Sequence, residues 1–222
     1  MKKEKKFLYN PIPVNTLIIS PHIDDDVLGC GGIMDENTMV LYCGADEEHI
    51  VGDWIKKRPS YDVRIKEADA VLELLKHQYM LLDFKPNKYH DKKTEMIYAI
   101  EQYINQVKPD EVYIPHPSYN QDHQTVYDAS LIAMRPHDMN FFVKKVMVYE
   151  QPQAYLWEGK DDFKPNYFVP INIKRKIMAY ELLQSQVRSF RSPELLEAMS
   201  VVRGHQSNTS HAEAFKIIRW IE

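Results

Sequence analysis

The chain has little of what would staple, anchor or charge it. Its 222 residues hold two cysteines, Cys30 and Cys43, outside CxxC spacing. A disulfide framework is therefore not expected, and reduced thiols in a cytoplasmic protein are. No apolar run is long enough to span a bilayer, so no membrane partner is expected. Positive charge is not in excess: 28 Lys and Arg stand against 32 Asp and Glu, for a net charge of -4. Nothing in that balance asks for nucleic acid as a partner. No serine stands in a GxSxG elbow and neither cysteine lies beside a convincing histidine base, so covalent nucleophilic catalysis has no support. The opening Met1-Lys2-Lys3-Glu4-Lys5-Lys6 is basic, but Pro11 and Pro13 follow in place of an apolar stretch. A signal peptide is not expected there, and residues 1–14 read as a tail or edge segment.

What is present looks globular. Hydrophobic residues make up 44% and charged residues 27%, ordinary usage for a folded domain. Length, with no repeat, linker or composition shift, predicts one domain over 1–222. Apolar and β-branched runs predict strands over 17–20, 39–43, 80–84, 111–115, 145–150 and 167–171. Helical patterns cover 25–36, 60–76, 92–107, 122–134, 173–188 and 193–203, and 212–220 closes the chain. A polar loop over 47–60 is long enough to suggest function. Strand alternating with helix predicts an α/β fold: a Rossmann-like three-layer sandwich, its mostly parallel sheet covered by helices on both faces.

The most telling segment follows the first strand. Behind Thr16-Leu17-Ile18-Ile19-Ser20 stand His22-Ile23-Asp24-Asp25-Asp26, then Val27-Leu28-Gly29-Cys30-Gly31-Gly32. Ligands of open α/β folds gather at the carboxyl ends of strands. Carboxylates crowded there repel one another unless a cation joins them, and zinc accepts both imidazole and carboxylate. Taken singly, His22 is a loop histidine and the acids are helix caps. Together, directly behind a buried strand, they point to chemistry. The glycines miss GxGxxG spacing, and the acids ahead of them would repel a phosphate. They read as close helix-to-sheet packing.

A second group, Asn120-Gln121-Asp122-His123 with His116 upstream, stands beyond the strand at 111–115. Parallel strands put their carboxyl ends on one edge, so the two groups can face each other. Two ligands from the first loop and His123 from the second give a three-ligand zinc with an open position, the catalytic pattern. The histidines at 49, 77, 90, 137, 205 and 211 have no ligand spacing.

These residues resemble the signatures of the LmbE-like, PIG-L type zinc-dependent N-deacetylases. That family's His-Pro-Asp-Asp-Glu at a strand end, with a Gly-rich helix after it, stands here as His22-Ile23-Asp24-Asp25-Asp26 and Gly29-Cys30-Gly31-Gly32. Its second signature, a His or Asn, two residues and a His, is Asn120-Gln121-Asp122-His123. Arg64-Ile65-Lys66-Glu67 with Ala68 resembles its Arg-x-x-Glu helix, and Phe163-Lys164-Pro165 with Tyr167-Phe168-Val169 its late strand. Ser185-Gln186 and Glu213-Ala214-Phe215 resemble its C-terminal segments. The similarity runs from about residue 16 to 216.

The resemblance implies that His22, Asp25 and His123 are zinc ligands and that Asp24 is the general base, with Asn120 and Asp122 beside it in the catalytic set. The implied reaction removes the acetyl group from an N-acetylated sugar or sugar conjugate by way of zinc-bound water activated by Asp24. Amide cleavage in another small conjugate, and a metal-bearing carbohydrate-binding module without catalysis, stay open as alternatives. So do iron and cobalt in place of zinc. Three residues depart from the family pattern. Ile23 replaces proline, Asp26 replaces glutamate, and Asn120 replaces the histidine many members carry near the oxyanion. The Asn120 amide can still donate a hydrogen bond, and His116 is the alternative donor. Arg64 is a candidate substrate contact, because its planar fork suits carboxylate or phosphate; the rival reading pairs it with Glu67 or Asp69. Tyr9, Tyr119 and Trp157 could stack on a sugar face. Homo-oligomerisation is left open.

Overall fold

The computed structural model describes residues 14–45, 59–152 and 163–222. The expected tail, Tyr9, Trp157 and most of the polar loop lie outside the described residues. In chain order the elements are β1 (Thr16–Ser20), α1 (Asp25–Cys30), β2 (Thr38–Tyr42), α2 (Tyr61–Leu75), β3 (Gln78–Leu81), α3 (Lys93–Val107), β4 (Glu111–Pro115) and α4 (Gln121–Ala133). Then come β5 (Lys145–Tyr149), β6 (Tyr167–Pro170), α5 (Ile173–Leu182), α6 (Pro193–Gln206) and β7 (Ala212–Trp220).

Alternation along the strands builds two cores. Leu17 and Ile19 of β1, with Val112 and Ile114 of β4, pack against Met96, Ile100 and Ile104 of α3 and Val126 and Ala129 of α4. Ile18 and Tyr113, one residue out of phase, face the opposite side with Val27 and Leu28 of α1, Val71 of α2, Ala179 of α5 and Leu196 of α6. Helices therefore cover both faces, and strand side chains are apolar in both phases, as a doubly covered parallel sheet requires. Ser60, Asn120, Asn172 and Ser192 cap α2, α4, α5 and α6 through their side-chain oxygens.

The sheet order is β3-β2-β1-β4-β5-β7-β6. β1 to β5 run parallel to their neighbours, and β7 lies antiparallel between β5 and β6. After β1 the chain builds outward through β2 and β3, then returns to add β4 on the other side of β1. The order reverses at that point, which opens a crevice beyond the carboxyl ends of β1 and β4.

Two helices stop short of their expected ends, and at each stop a backbone N–H turns to a distant carboxylate. α1 ends at Cys30 because the chain turns at Gly31 and Gly32, where the Gly32 N–H donates to the Glu213 carboxylate at 2.8 Å. A Cβ on Gly32 would sit 2.4 Å from Ile171. α5 ends at Leu182; three residues on, the Ser185 N–H donates to Glu67 Oε1 at 2.7 Å rather than to its own helix. Gly29 also reads as expected: a Cβ there would meet the Tyr149 ring at 2.2 Å. No described helix is long and apolar enough to cross a membrane. Both cysteines are buried free thiols.

Candidate metal centre and active site

Two loops leave neighbouring parallel strands and meet in this crevice. The first, from Pro21 to Asp26, is pinned along its backbone. Tyr89 Oη donates to the Pro21 carbonyl at 2.8 Å, Ser20 Oγ to the His22 carbonyl at 2.7 Å, and Gln151 Nε2 to the Asp25 carbonyl at 3.2 Å. Arg64 Nη2 donates to the Ile23 carbonyl. The second loop ends in the cap of α4, where Asn120 Oδ1 accepts from the Asp122 N–H at 2.8 Å. The helix start therefore faces the first loop, with Asp122 and His123 in its first turn.

Three donor atoms converge there. Asp25 Oδ2 lies 3.0 Å from His22 Nδ1 and 3.2 Å from His123 Nε2. The ligand atoms of His22, Asp25 and His123 all lie within 4.8 Å of one another, a grouping able to hold a metal ion. Two imidazoles and a carboxylate suit zinc and its divalent neighbours. An imidazole nitrogen facing a carboxylate either carries a proton and donates it, or sets lone pair against lone pair and calls for a cation. Burial works against charge on His22, but Asp122 and Asp25 outweigh it and lift its pKa from 6.5 to about 10. Burial would raise the Asp25 carboxyl, but His123 and His22 hold it well below the usual carboxylate range. His22 is 19% exposed while Asp25 and His123 are 3% and 1% exposed, so the centre opens on the His22 side.

The remaining residues picked out by sequence take distinct places. Asp122 does not stand free: Oδ2 lies 3.0 Å from His22 Nε2 and accepts from the Asn87 N–H at 2.6 Å. A carboxylate on the second nitrogen of His22 fixes the ring's orientation and tautomer. Asp24 is buried, with Arg191 Nη1 2.8 Å from Oδ2 and Arg64 Nη2 3.8 Å from Oδ1. Burial raises its pKa, and the Arg191 charge opposes this. Asn120 is exposed at the cap. His116 is half-buried, its ring set edge-on to Phe163 at 5.4 Å. Arg64, expected as a substrate contact, is 1% exposed. Its guanidinium is taken up by Glu67 at 3.2 Å, Ser185 at 3.4 Å and the Ile23 carbonyl. The pairing with Glu67 is present, but inside the protein rather than on its surface. Asp26 Oδ2 accepts from the Tyr42 hydroxyl at 2.7 Å, and burial lifts its pKa to about 7.

Sequence reading missed Arg191, Gln151 and Asn87. Arg191 reaches Asp24 from the far end of the chain, and the other two act through an amide side chain and a backbone N–H. None carries a local pattern that could have marked it.

Such a site defines a class: an open α/β sheet with a His-Asp-His cluster at its switch point, able to hold one divalent ion. The chain belongs to the PIG-L family, whose model, described as GlcNAc-PI de-N-acetylase, matches residues 17–134. It is 29% identical over 168 residues to the uncharacterized deacetylase YaiS of Escherichia coli K12, covering 68% of this chain and 79% of that protein. Two solved structures share the fold. The N,N'-diacetylchitobiose deacetylase of Pyrococcus horikoshii superposes with a TM-score of 0.67 at 18% identity, covering 92% of this chain and 83% of its own. GalB, the 4-carboxy-2-hydroxymuconate hydratase of Pseudomonas putida KT2440, superposes with 0.69 at 20%, covering 93% and 98%.

Proposed function

We propose that the chain is a metal-dependent hydrolase that releases acetate from an N-acetylated sugar or sugar conjugate. The observation that carries this reading is the convergence of His22, Asp25 and His123 within 4.8 Å, with the Asp24 carboxylate next in the chain. Family membership and two relatives named as deacetylases support the reaction class.

His22, Asp25 and His123 would hold the metal, with zinc the best match to the donors. When bound, it supplies Lewis acidity toward water and toward the acyl oxygen. The chain's own groups do the rest. Asp24 takes the proton of the attacking water and returns it to the departing amine nitrogen, so amide and water become acetate and amine. Burial raises the Asp24 pKa, the direction that suits a base in both transfers. Asp122 keeps His22 in one orientation. The exposed Asn120 amide, or His116, donates to the oxygen that gains charge as water adds.

The test pairs Asp24→Asn with wild type across a panel of N-acetyl sugars, measuring acetate release and bound metal. Asp24→Asn is expected to keep about one metal per chain and to lose about 10²–10⁴-fold in kcat. Turnover unchanged in Asp24→Asn would remove Asp24 from the mechanism. Metal-loaded wild type that releases no acetate from any member of the panel would refute the substrate class. Cleavage of acetylated amino acids or thiol conjugates instead would move the same site to another amide.

A further inference from the structure

The groups around Asp24 form a closed circuit. Arg191 Nη1 lies 2.8 Å from Asp24 Oδ2, and Arg191 Nη2 donates to Gln186 Oε1 at 3.1 Å. Gln186 Nε2 donates to Ser185 Oγ at 3.0 Å, and Ser185 Oγ donates to Glu67 Oε2 at 2.6 Å. Arg64 Nη1 donates to the same Glu67 oxygen at 3.2 Å, and Arg64 Nη2 returns to Asp24 Oδ1 at 3.8 Å. Three separate stretches of chain contribute: the loop after β1, the helix α2, and the segment from Ser185 to Arg191. Resting on the hydrolase reading above, we infer that Gln186 and Arg191 are positioning residues that close this ring and hold the Asp24 carboxylate in one orientation.

The chemistry of the ring favours that role. Two carboxylates and two guanidiniums balance in charge. Asp24, Arg64, Glu67 and Gln186 are all buried. A buried ionic network is a poor source of stability, since apolar side chains of similar volume often serve as well or better. It is a good way to fix direction, because each hydrogen bond in it has one geometry. Asp24 sits in a loop before α1 and has no side-chain hydrogen bond to that helix. Its orientation depends on the two guanidiniums. Arg64 is itself locked by Glu67, Ser185 and the Ile23 carbonyl. Among the described residues, the Arg191 side chain makes one hydrogen bond besides its contact with Asp24, to Gln186 Oε1, with the Phe190 ring 5.6 Å from its guanidinium; the segment is tied down by Tyr180 Oη donating to the Gln186 carbonyl at 3.1 Å. Gln186 is therefore the weak point at which the ring can be opened without touching Asp24, Arg64 or the metal ligands.

The experiment measures kcat, KM and bound metal for Gln186→Ala, Gln186→Glu and Arg191→Ala, with crystal structures of wild type and Gln186→Ala. Gln186→Ala is expected to lower kcat by about 10-fold or more, within the cost of a misplaced catalytic group, with KM and metal content unchanged. In its crystal structure Asp24 should occupy more than one rotamer. Gln186→Glu keeps an acceptor for Arg191 but cannot donate to Ser185 Oγ and adds a third carboxylate, so it should recover only part of the rate. Arg191→Ala should lose more, and added guanidinium ion should restore part of it. Two results overturn the inference: a single unchanged Asp24 rotamer in Gln186→Ala, or a kcat equal to wild type. Wild type inactive on every amide would refute the hydrolase reading, and the Asp24 rotamers would still decide the ring.

Discussion

His77 shows what one buried side chain can do to stability. It lies between α2 and β3, is 1% exposed, and neither ring nitrogen has a hydrogen-bond partner among the described residues. Burial, helped by the Arg175 charge, pulls its pKa from 6.5 to about 4. In the unfolded chain it returns to about 6.5. Between those values the unfolded chain binds a proton that the native protein does not. The stability held by neutral His77 is complete above about pH 6.5 and drains as pH falls through about 4. By pH 4.5 the loss comes to about 2 kcal/mol. His77→Phe keeps a ring and removes the titration. Urea unfolding at pH 7.5 and 4.5 should show wild type losing about 2 kcal/mol more than the variant; equal losses would dismiss the argument. The residues of the His22-Asp25-His123 cluster were legible because each stands within a few positions of a strand end, where the pattern of apolar run then acid or histidine is local. For Arg64 the pairing with Glu67 was legible, since the two stand three positions apart on one helix, but its burial was not, because that depends on how the segment around Ser185 folds over α2. Arg191 was not legible at all, because its contact with Asp24 exists only after the chain has closed on itself.

Among the elements, the same difference between local and distant causes recurs. The strand Glu111–Pro115 was read to the residue, and β1, β2 and β5 to within one, because short apolar runs bounded by polar turns carry their own signal. The segment 212–220 carries no pattern of its own that fixes its type, yet it forms β7. Its antiparallel place between β5 and β6 is set by partners that sequence does not name. β7 also carries Glu213, which reaches Lys176 of α5 at 2.7 Å and the Gly32 N–H at 2.8 Å. The pair ties the last strand to two helices, and both side chains are nearly closed to solvent. Burial raises the Glu213 pKa, and Lys176 is the charge that opposes it. Removing one partner of such a pair strands the other, so Lys176→Met is expected to cost about 3–5 kcal/mol. Lys176→Met with Glu213→Leu removes both charges and should be less destabilised than the single variant, although the Gly32 N–H then loses its acceptor at a cost of about 1–3 kcal/mol. Chemical denaturation of both variants checks the order. A single variant as stable as wild type would mean the pair holds nothing together.

For the whole molecule, the fold fixes where chemistry happens but not which chemistry. Deacetylases and a hydratase share this sheet, and a fold alone does not select among reactions. What the topology does determine is that the His22-Asp25-His123 cluster is long-range. His22 and its partner Asp122 stand 100 positions apart, and only the parallel pairing of β1 with β4 brings their loops together. The unfolded chain cannot present the three ligands as a set, so a metal that fits the centre binds the native state alone and must stabilise it. At a free metal concentration 100 times the Kd the gain is about 2.7 kcal/mol. For a chain of this size that corresponds to a rise of roughly 5–10 °C in Tm. Zinc added to metal-stripped protein should produce that rise. Asp25→Ala should abolish it, since the carboxylate between the two histidines is gone, while Asp24→Asn should retain it because Asp24 is not a ligand. A Tm indifferent to zinc in wild type would refute the centre, and a rise that survives in Asp25→Ala would place the metal somewhere else on the protein.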